Sequence, residues 1–151
     1  MTLAKEDSRI HKMRLAELIC EKKNARMTGL RRKILEILIE ADYPLKAYDI
    51  IELVGGTRRR ITPSAVYRTL DFLLKHGLAH KINSINAYSL CFAPETKHTP
   101  IIFVCLLCKK AEEINDKTLD EVLRSRLDEL GFAISGSVEI QGACKDCLAM
   151  C

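Results

Sequence analysis

The sequence predicts an α+β protein in two modules: a basic, helical N-terminal half that closes with a hairpin, and a small acidic α/β half rich in cysteine. Three observations carry this. Apolar residues recur at helical spacing through about residue 75 and then alternate, the change of period that marks a passage from helices to strands. Charge divides with position: residues 1 to 82 hold seventeen Lys or Arg against ten Asp or Glu, net +7, and residues 83 to 151 hold seven against ten, net −3. Six of the seven cysteines lie at or beyond Cys91. A basic half suits a polyanion and a cysteine-rich half suits a metal.

At 151 residues and 48% hydrophobic, the chain can bury the core of one ordinary domain or of two small ones. It contains no run of about eighteen apolar residues, and "MTLAKEDSRIHKMRLAELIC" is charged throughout, so neither a transmembrane helix nor a signal peptide is expected. A cytoplasmic protein without a membrane partner follows. In a reducing cytosol seven cysteines read as metal ligands or redox thiols, and their odd number weakens a disulfide framework further.

A first helix is expected from a cap at Asp7 or Ser8 to about Ala25, with Ile10, Met13, Ala16 or Glu17, and Cys20 near one face. Cys20 reads there as a small buried hydrophobe. Thr28 precedes a second helix with an apolar stripe of Ile34, Leu35, Leu38 and Ile39, stopped by Pro44. A third carries Ala47, Ile50, Ile51 and Val54 and ends at a double glycine. The fourth is bounded at both ends: Thr62 caps it, Pro63 suits its first position and Gly77 closes it. Val66, Leu70, Leu73 and Leu74 share one face, leaving Ser64, Tyr67, Arg68 and Asp71 on the other. A helix packed by leucines that offers Ser, Tyr and Arg near its N-terminus has the layout of a recognition helix in the major groove. Arg68 can grip guanine with two hydrogen bonds, Tyr67 offers a hydroxyl and a ring, and Ser64 suits a phosphate. Arg58, Arg59 and Arg60 occupy the preceding turn, where backbone phosphates would pass.

"LAHKINSINAYSLC" alternates as a hairpin turning around Ser84, Ile85 and Asn86. Helix, turn, recognition helix and hairpin together describe a winged helix-turn-helix DNA-binding domain. With the turn near residue 85, paired positions sum to about 170, which sets His80 opposite residues 89 to 91 and near Cys91. Beyond it, "PIIFVC" reads as a strand, "NDKTLDEVLRSRLDELG" as a helix stopped at Gly131, and "FAISGSVEIQG" as a further strand. Leu119, Val122, Leu123, Leu127 and Leu130 are spaced for packing, and this apolar surface exceeds what one helix over two or three strands can cover. A homodimer is expected, whose two-fold axis would match a palindromic operator. The expected division is 1–91 for the winged helix, 92–99 for a hinge and 100–151 for an α/β dimerisation domain.

"FVCLLC" and "GACKDC" set Cys105 and Cys108, then Cys144 and Cys147, as two CxxC pairs. Each pair can hold one edge of a tetrahedron, and together they complete a closed four-sulfur zinc site with a structural role. Cys151 reads as a spare thiol. The remaining ligand types are His80, Cys91, His98 and Glu113, with Glu112 as the alternative carboxylate; His11 and His76 lack companions. Two imidazoles, one thiolate and one carboxylate neutralise a dication and suit tetrahedral zinc, and the thiolate disfavours manganese and magnesium and moves preference toward zinc, nickel or cobalt.

"AYDI", "PSAVYRTLDFLLKHGLAHKI", "NAYSLC", the histidine of "KHT", "FVCLLC" and "GACKDC" together resemble the ferric uptake regulator family, and most closely its zinc uptake regulator branch. The resemblance runs nearly end to end. It implies structural zinc on Cys105, Cys108, Cys144 and Cys147, and a regulatory zinc on His80, Cys91, His98 and Glu113 at the domain hinge, two ions per subunit. It implies a repressor of zinc uptake genes that binds operator DNA as a dimer when the hinge is filled, with no enzymatic role and no small-molecule substrate. Three features depart from the family's common pattern. "ETKHTPIIFVC" keeps one histidine where iron-sensing members carry a run such as HHxH, Gly29 stands where proline is common, and "GGTRRR" is unusually basic. The rival expectations are a sensor of iron, manganese, nickel or peroxide on the same architecture, and a thiol oxidoreductase built on the CxxC pairs.

Overall fold

The computed structural model describes residues 2–55 and 61–150. The N-terminal half contains α1 (Thr2–Lys22), α2 (Gly29–Glu40), α3 (Ala47–Gly55), α4 (Pro63–Lys75) and a hairpin of β1 (Ala79–Ile82) and β2 (Ala87–Leu90) joined by a 3₁₀ turn over Asn83–Ile85. Arg58, Arg59, Arg60 and Cys151 lie outside the described residues.

Several expectations shift at the level of individual ends. The first helix begins at Thr2, ahead of the expected cap at Asp7 or Ser8, since neither Gly nor Pro interrupts the chain before Gly29. It stops at Lys22 because Asn24 turns left-handed (φ 51°), and the Ala25 N–H donates to Cys20 O at 2.8 Å while Asn24 N–H donates to Glu21 O at 3.0 Å. That pair of bonds satisfies the last orphan carbonyls of the helix. The same closure ends α4 at Gly77 (φ 71°), with Leu78 N–H donating to Leu73 O at 2.9 Å. At the front of α2, Thr28 Oγ accepts from Arg31 N–H at 3.4 Å, and at the front of α4 Thr62 Oγ accepts from Ala65 N–H at 3.3 Å.

The larger core gathers Ala16, Ile19 and Cys20 of α1 with Ile34, Leu35 and Leu38 of α2, Ile50 and Val54 of α3, and Val66, Leu70 and Leu73 of α4. Cys20 is buried as expected, and burial raises its thiol pKa. Ile10, by contrast, is 62% exposed, because α1 runs past the end of the core it covers. Leu45 pairs with Tyr88 as an isolated antiparallel bridge, a third short strand on the wing that its single residue kept out of the alternation pattern.

The C-terminal half is a three-stranded sheet in the order β4-β3-β5, from β3 (Ile101–Cys105), β4 (Ala111–Ile114) and β5 (Val138–Gly142), with α5 (Lys117–Glu129) and α6 (Lys145–Ala149). β4 pairs antiparallel with β3, and β5 pairs parallel to it. Two elements were not read from the sequence: β4, only four residues long, and α6, a single turn after Cys144. The last strand is shorter than expected, since Gly136 is left-handed (φ 88°) and the extended pairing starts only at Val138. Among the described residues α5 buries no side chain fully; Val122 is 56% and Leu130 70% exposed, so its apolar spacing finds little to pack on within one chain. Phe103 and Ile140, neighbours in the β3–β5 register, are also exposed on the sheet. No helix among the described residues is long and apolar enough to cross a membrane.

Candidate metal centres and nucleic-acid interface

The hairpin register sets His80 opposite Ser89 and Ala79 opposite Leu90, an index sum of 169 where about 170 was expected. Cys91 follows β2 directly, its N–H donating to Leu78 O at 3.0 Å, and its side chain is 3% exposed. His98 comes from the linker and Glu113 from β4. The ligand atoms of His80, Cys91, His98 and Glu113 all lie within 4.8 Å of one another. Three separate segments of chain therefore meet at one point, between the wing and the sheet.

Glu113 is the hub. Its Oε1 sits 2.8 Å from His98 Nε2 and 3.2 Å from His80 Nε2, and its Oε2 accepts the Phe92 N–H at 2.9 Å. Burial would raise its pKa, but these histidines and the Phe92 N–H outweigh it and hold the carboxyl below its usual range. Glu113 pairs with Ile102 across β3–β4, and pleat alternation turns Glu112 to the opposite face, so Glu113 is the carboxylate that faces His80, Cys91 and His98. His98 Nδ1 lies 2.9 Å from Thr96 O, so the ring stands between two acceptors, an arrangement that favours imidazolium when no metal is bound. Burial opposes that charge, yet the Thr96 carbonyl and Glu113 prevail and the His98 pKa is raised. The Cys91 Sγ is 3.9 Å from His98 Nε2, and desolvation, reinforced by Glu113, pushes its thiol up to about 12.

The fit of this cluster to a cation is tested by its own unpaired chemistry. His80 Nε2 is buried, and although Glu113 Oε1 is within ion-pair distance, the nitrogen makes no hydrogen bond of acceptable geometry. A buried ring nitrogen left this way carries a cost that a metal bond removes. Two imidazoles, a thiolate and a carboxylate match a tetrahedral zinc donor set. The Thr96 carbonyl at His98 Nδ1 supplies the outer hydrogen bond that orients a metal-bound imidazole.

A second cluster joins Cys105 and Cys108 to Cys144 and Cys147, again with all ligand atoms within 4.8 Å. Cys108 Sγ is 3.8 Å from Cys144 Sγ, so the two CxxC pairs face each other across the ends of β3 and β5. The Cys144 N–H donates to Cys105 Sγ at 3.3 Å. Backbone N–H groups of Cys108 and Cys144 bring the Cys105 thiol down to about 6, while hydrogen bonding to Cys144 and Cys108 carries Cys147 up to about 12. Four cysteine sulfurs from two CxxC pairs, gathered this closely, fit a closed zinc site.

Ser64, Tyr67 and Arg68 are exposed on α4, Tyr67 at 48%, while Val66, Leu70 and Leu73 of the same helix are fully buried. Thr69 is buried too, and Leu74 only half so. Arg68 has no ion-pair partner among the described residues. Arg68 is exposed on a helix whose other face is buried in the core.

Comparison with known proteins agrees with this arrangement. A family model, the ferric uptake regulator family, matches residues 22–140. The chain is 33% identical over 135 residues to the zinc uptake regulation protein of Escherichia coli (strain K12), covering 88% of this chain and 79% of that protein. A zinc uptake regulator complexed with zinc and DNA matches at TM-score 0.83 and 30% identity, covering 94% of this chain and 96% of that one. Holo XcZur matches at 0.78 and 33% identity (91% and 96% covered), whereas apo XcZur reaches only 0.56 at 31% identity (94% and 99% covered). Sequence likeness is nearly the same for the two forms, and this chain superposes more fully on the holo one. With the matched span, the identity and the shared fold in agreement, this chain belongs to the ferric uptake regulator family.

Proposed function

We propose that this protein is a zinc-responsive transcriptional repressor that binds palindromic operator DNA as a homodimer in the cytoplasm and controls zinc uptake genes. The observation that carries the reading is the convergence of His80 and Cys91 from the winged helix, His98 from the linker and Glu113 from the sheet on one point. The similarity to a regulator complexed with zinc and DNA supports the same reading. We divide the chain into a winged helix over 1–91, a hinge over 92–99 and a dimerisation domain over 100–151, and assign two zinc ions to each subunit.

Zinc held by the hinge donors would supply the dication that their thiolate and carboxylate neutralise. His80 and Cys91 then fasten the hairpin at β1 and the end of β2, His98 fastens the linker, and Glu113 fastens β4, so the wing cannot swing away from the sheet. The four cysteines join the end of β3 to the start of α6 and keep the sheet in register. The exposed apolar face of α5, with Phe103 and Ile140, supports dimerisation, which would set two α4 helices at operator spacing. Arg68, Tyr67 and Ser64 would contact bases and phosphates, joined by Arg58, Arg59 and Arg60. A coupling of about 1–3 kcal/mol per site is usual for allostery, and two sites per dimer would change DNA affinity about a hundredfold or more. The role is regulatory, without turnover of a substrate.

The test starts by selecting bound duplexes from a random-sequence pool with zinc present. Affinity for the selected duplex is then titrated against Zn, Fe(II), Mn and Ni for wild type and Cys91→Ser. Zinc-dependent binding in wild type, lost in a variant that stays folded and dimeric, is the expected result. Activation by iron but not by zinc, or an unaltered response in Cys91→Ser, overturns the proposal.

A further inference from the structure

The wing meets the sheet at a second place that uses no metal-ligand residue. Glu139 of β5 reaches the 3₁₀ turn at the tip of the hairpin: its Oε1 accepts the Asn83 N–H at 2.6 Å and its Oε2 accepts the Ser84 N–H at 2.9 Å. Those are free N–H groups at the start of a helical turn, which otherwise have no partner. Ser137 Oγ donates to Lys81 O at 3.3 Å beside them. Burial works against the Glu139 carboxylate, but the Ser84 and Asn83 hydrogen bonds win and hold its pKa below the usual range. The partners stand 55 and 56 residues apart in sequence, so local folding does not make this contact.

The sheet register explains why it forms. Ile102 of β3 pairs with Glu113 on one side and with Glu139 on the other, so the three side chains share one face in a row across the sheet. β1 lies along that row. His80 meets Glu113, Ile82 is fully buried with Ile102 and Val104, and the turn that follows meets Glu139. The wing is thus held at three successive points: the four-donor cluster at its base, an apolar contact in the middle and a carboxylate clamp at its tip.

We infer that Glu139 is a positioning residue for the zinc response: it holds the wing tip in the docked arrangement and thereby pre-assembles the hinge donors. This rests on the function proposed above. The apparent affinity of a ligand falls in proportion to the fraction of protein in the competent state. Removing the clamp therefore weakens zinc binding at the hinge, though Glu139 touches no donor atom. Saturating zinc restores docking by mass action, so operator affinity at high zinc is nearly preserved.

Glu139→Ala and Glu139→Gln test this in the full-length dimer with its four-cysteine site filled. Hinge zinc affinity is measured by competition with a chelator, without DNA; operator affinity is measured at saturating zinc; amide exchange is followed at Asn83 and Ser84. The expected result for Glu139→Ala is a loss of zinc affinity of about tenfold, the scale of losing charge-assisted hydrogen bonds. Fast exchange at the two amides and operator affinity within about twofold of wild type should accompany it. Glu139→Gln, which keeps one acceptor, should fall between. Unchanged zinc affinity in Glu139→Ala, beside a wild type that responds to zinc, overturns the inference alone. So does a loss of operator affinity at saturating zinc with zinc binding intact, which would make Glu139 a DNA or dimer contact. A wild type that takes no zinc at the hinge removes the proposed function and this inference with it.

Discussion

Binding of zinc at the hinge should release between one and two protons near pH 7, and the structure identifies their sources. Cys91 is buried, with its thiol pushed up to about 12, so at pH 7 it is neutral and must lose a proton to ligate as thiolate. About five pH units at 1.36 kcal/mol each put that cost near 7 kcal/mol, which the bonds to the metal have to exceed. His98 has a raised pKa because its two nitrogens face Thr96 O and Glu113, so it carries a fractional proton that ligation through Nε2 also expels. Glu113 is held ionised and releases none. The sign follows: apparent zinc affinity rises with pH, about tenfold per unit from Cys91 alone and more steeply below the His98 pKa. Calorimetric titration of zinc into protein whose four-cysteine site is filled, in buffers of different ionisation enthalpy, counts the protons. Cys91→Ser should lower the count by one. Release near zero in wild type, or an unchanged count in Cys91→Ser, would refute a neutral buried thiol as ligand.

Arg68→Ala should cost about 1–3 kcal/mol of operator binding in a mobility-shift titration. Its stability should stay within about 0.5 kcal/mol, because the side chain is exposed and holds no ion pair among the described residues. Cys105→Ser should unfold the C-terminal half: apparent binding of structural zinc is worth about 10–16 kcal/mol, as much as a small domain's whole stability. Far-UV circular dichroism and zinc stoichiometry check this, and a variant that keeps its sheet and its full metal content contradicts it. Phe103→Arg should give monomers in sedimentation while leaving hinge zinc binding in place; a persistent dimer would put the interface elsewhere.

Periodicity and punctuation along the chain were enough for the helical half. Each of its helices has a buried stripe and a stop written locally, so α2, α3 and α4 lie close to where the sequence predicts them. The hairpin register, and with it the nearness of His80 to Cys91, follows from counting residues about a turn. The two CxxC pairs announce themselves because ligand spacing within each pair is a local constraint. That Glu113 rather than Glu112 faces the two histidines was not legible, since β4 is four residues long and its pleat phase is set by pairing with β3. Asn24 could have marked the end of α1, as one of the few residues that tolerate a left-handed backbone.

What the sequence determined alone, then, is the four helices of the basic half, the hairpin and which residue types could hold metal, for each depends on neighbours a few positions away; β4 and α6 are not among them. What only the tertiary structure decided is how the wing lies on the sheet. That docking joins Asn83 and Ser84 to Glu139 and His80 to Glu113, pairs that no local rule connects. Their partnership depends on two chain segments packing Ile82 against Ile102, and the free energy of burying that contact belongs to neither segment by itself.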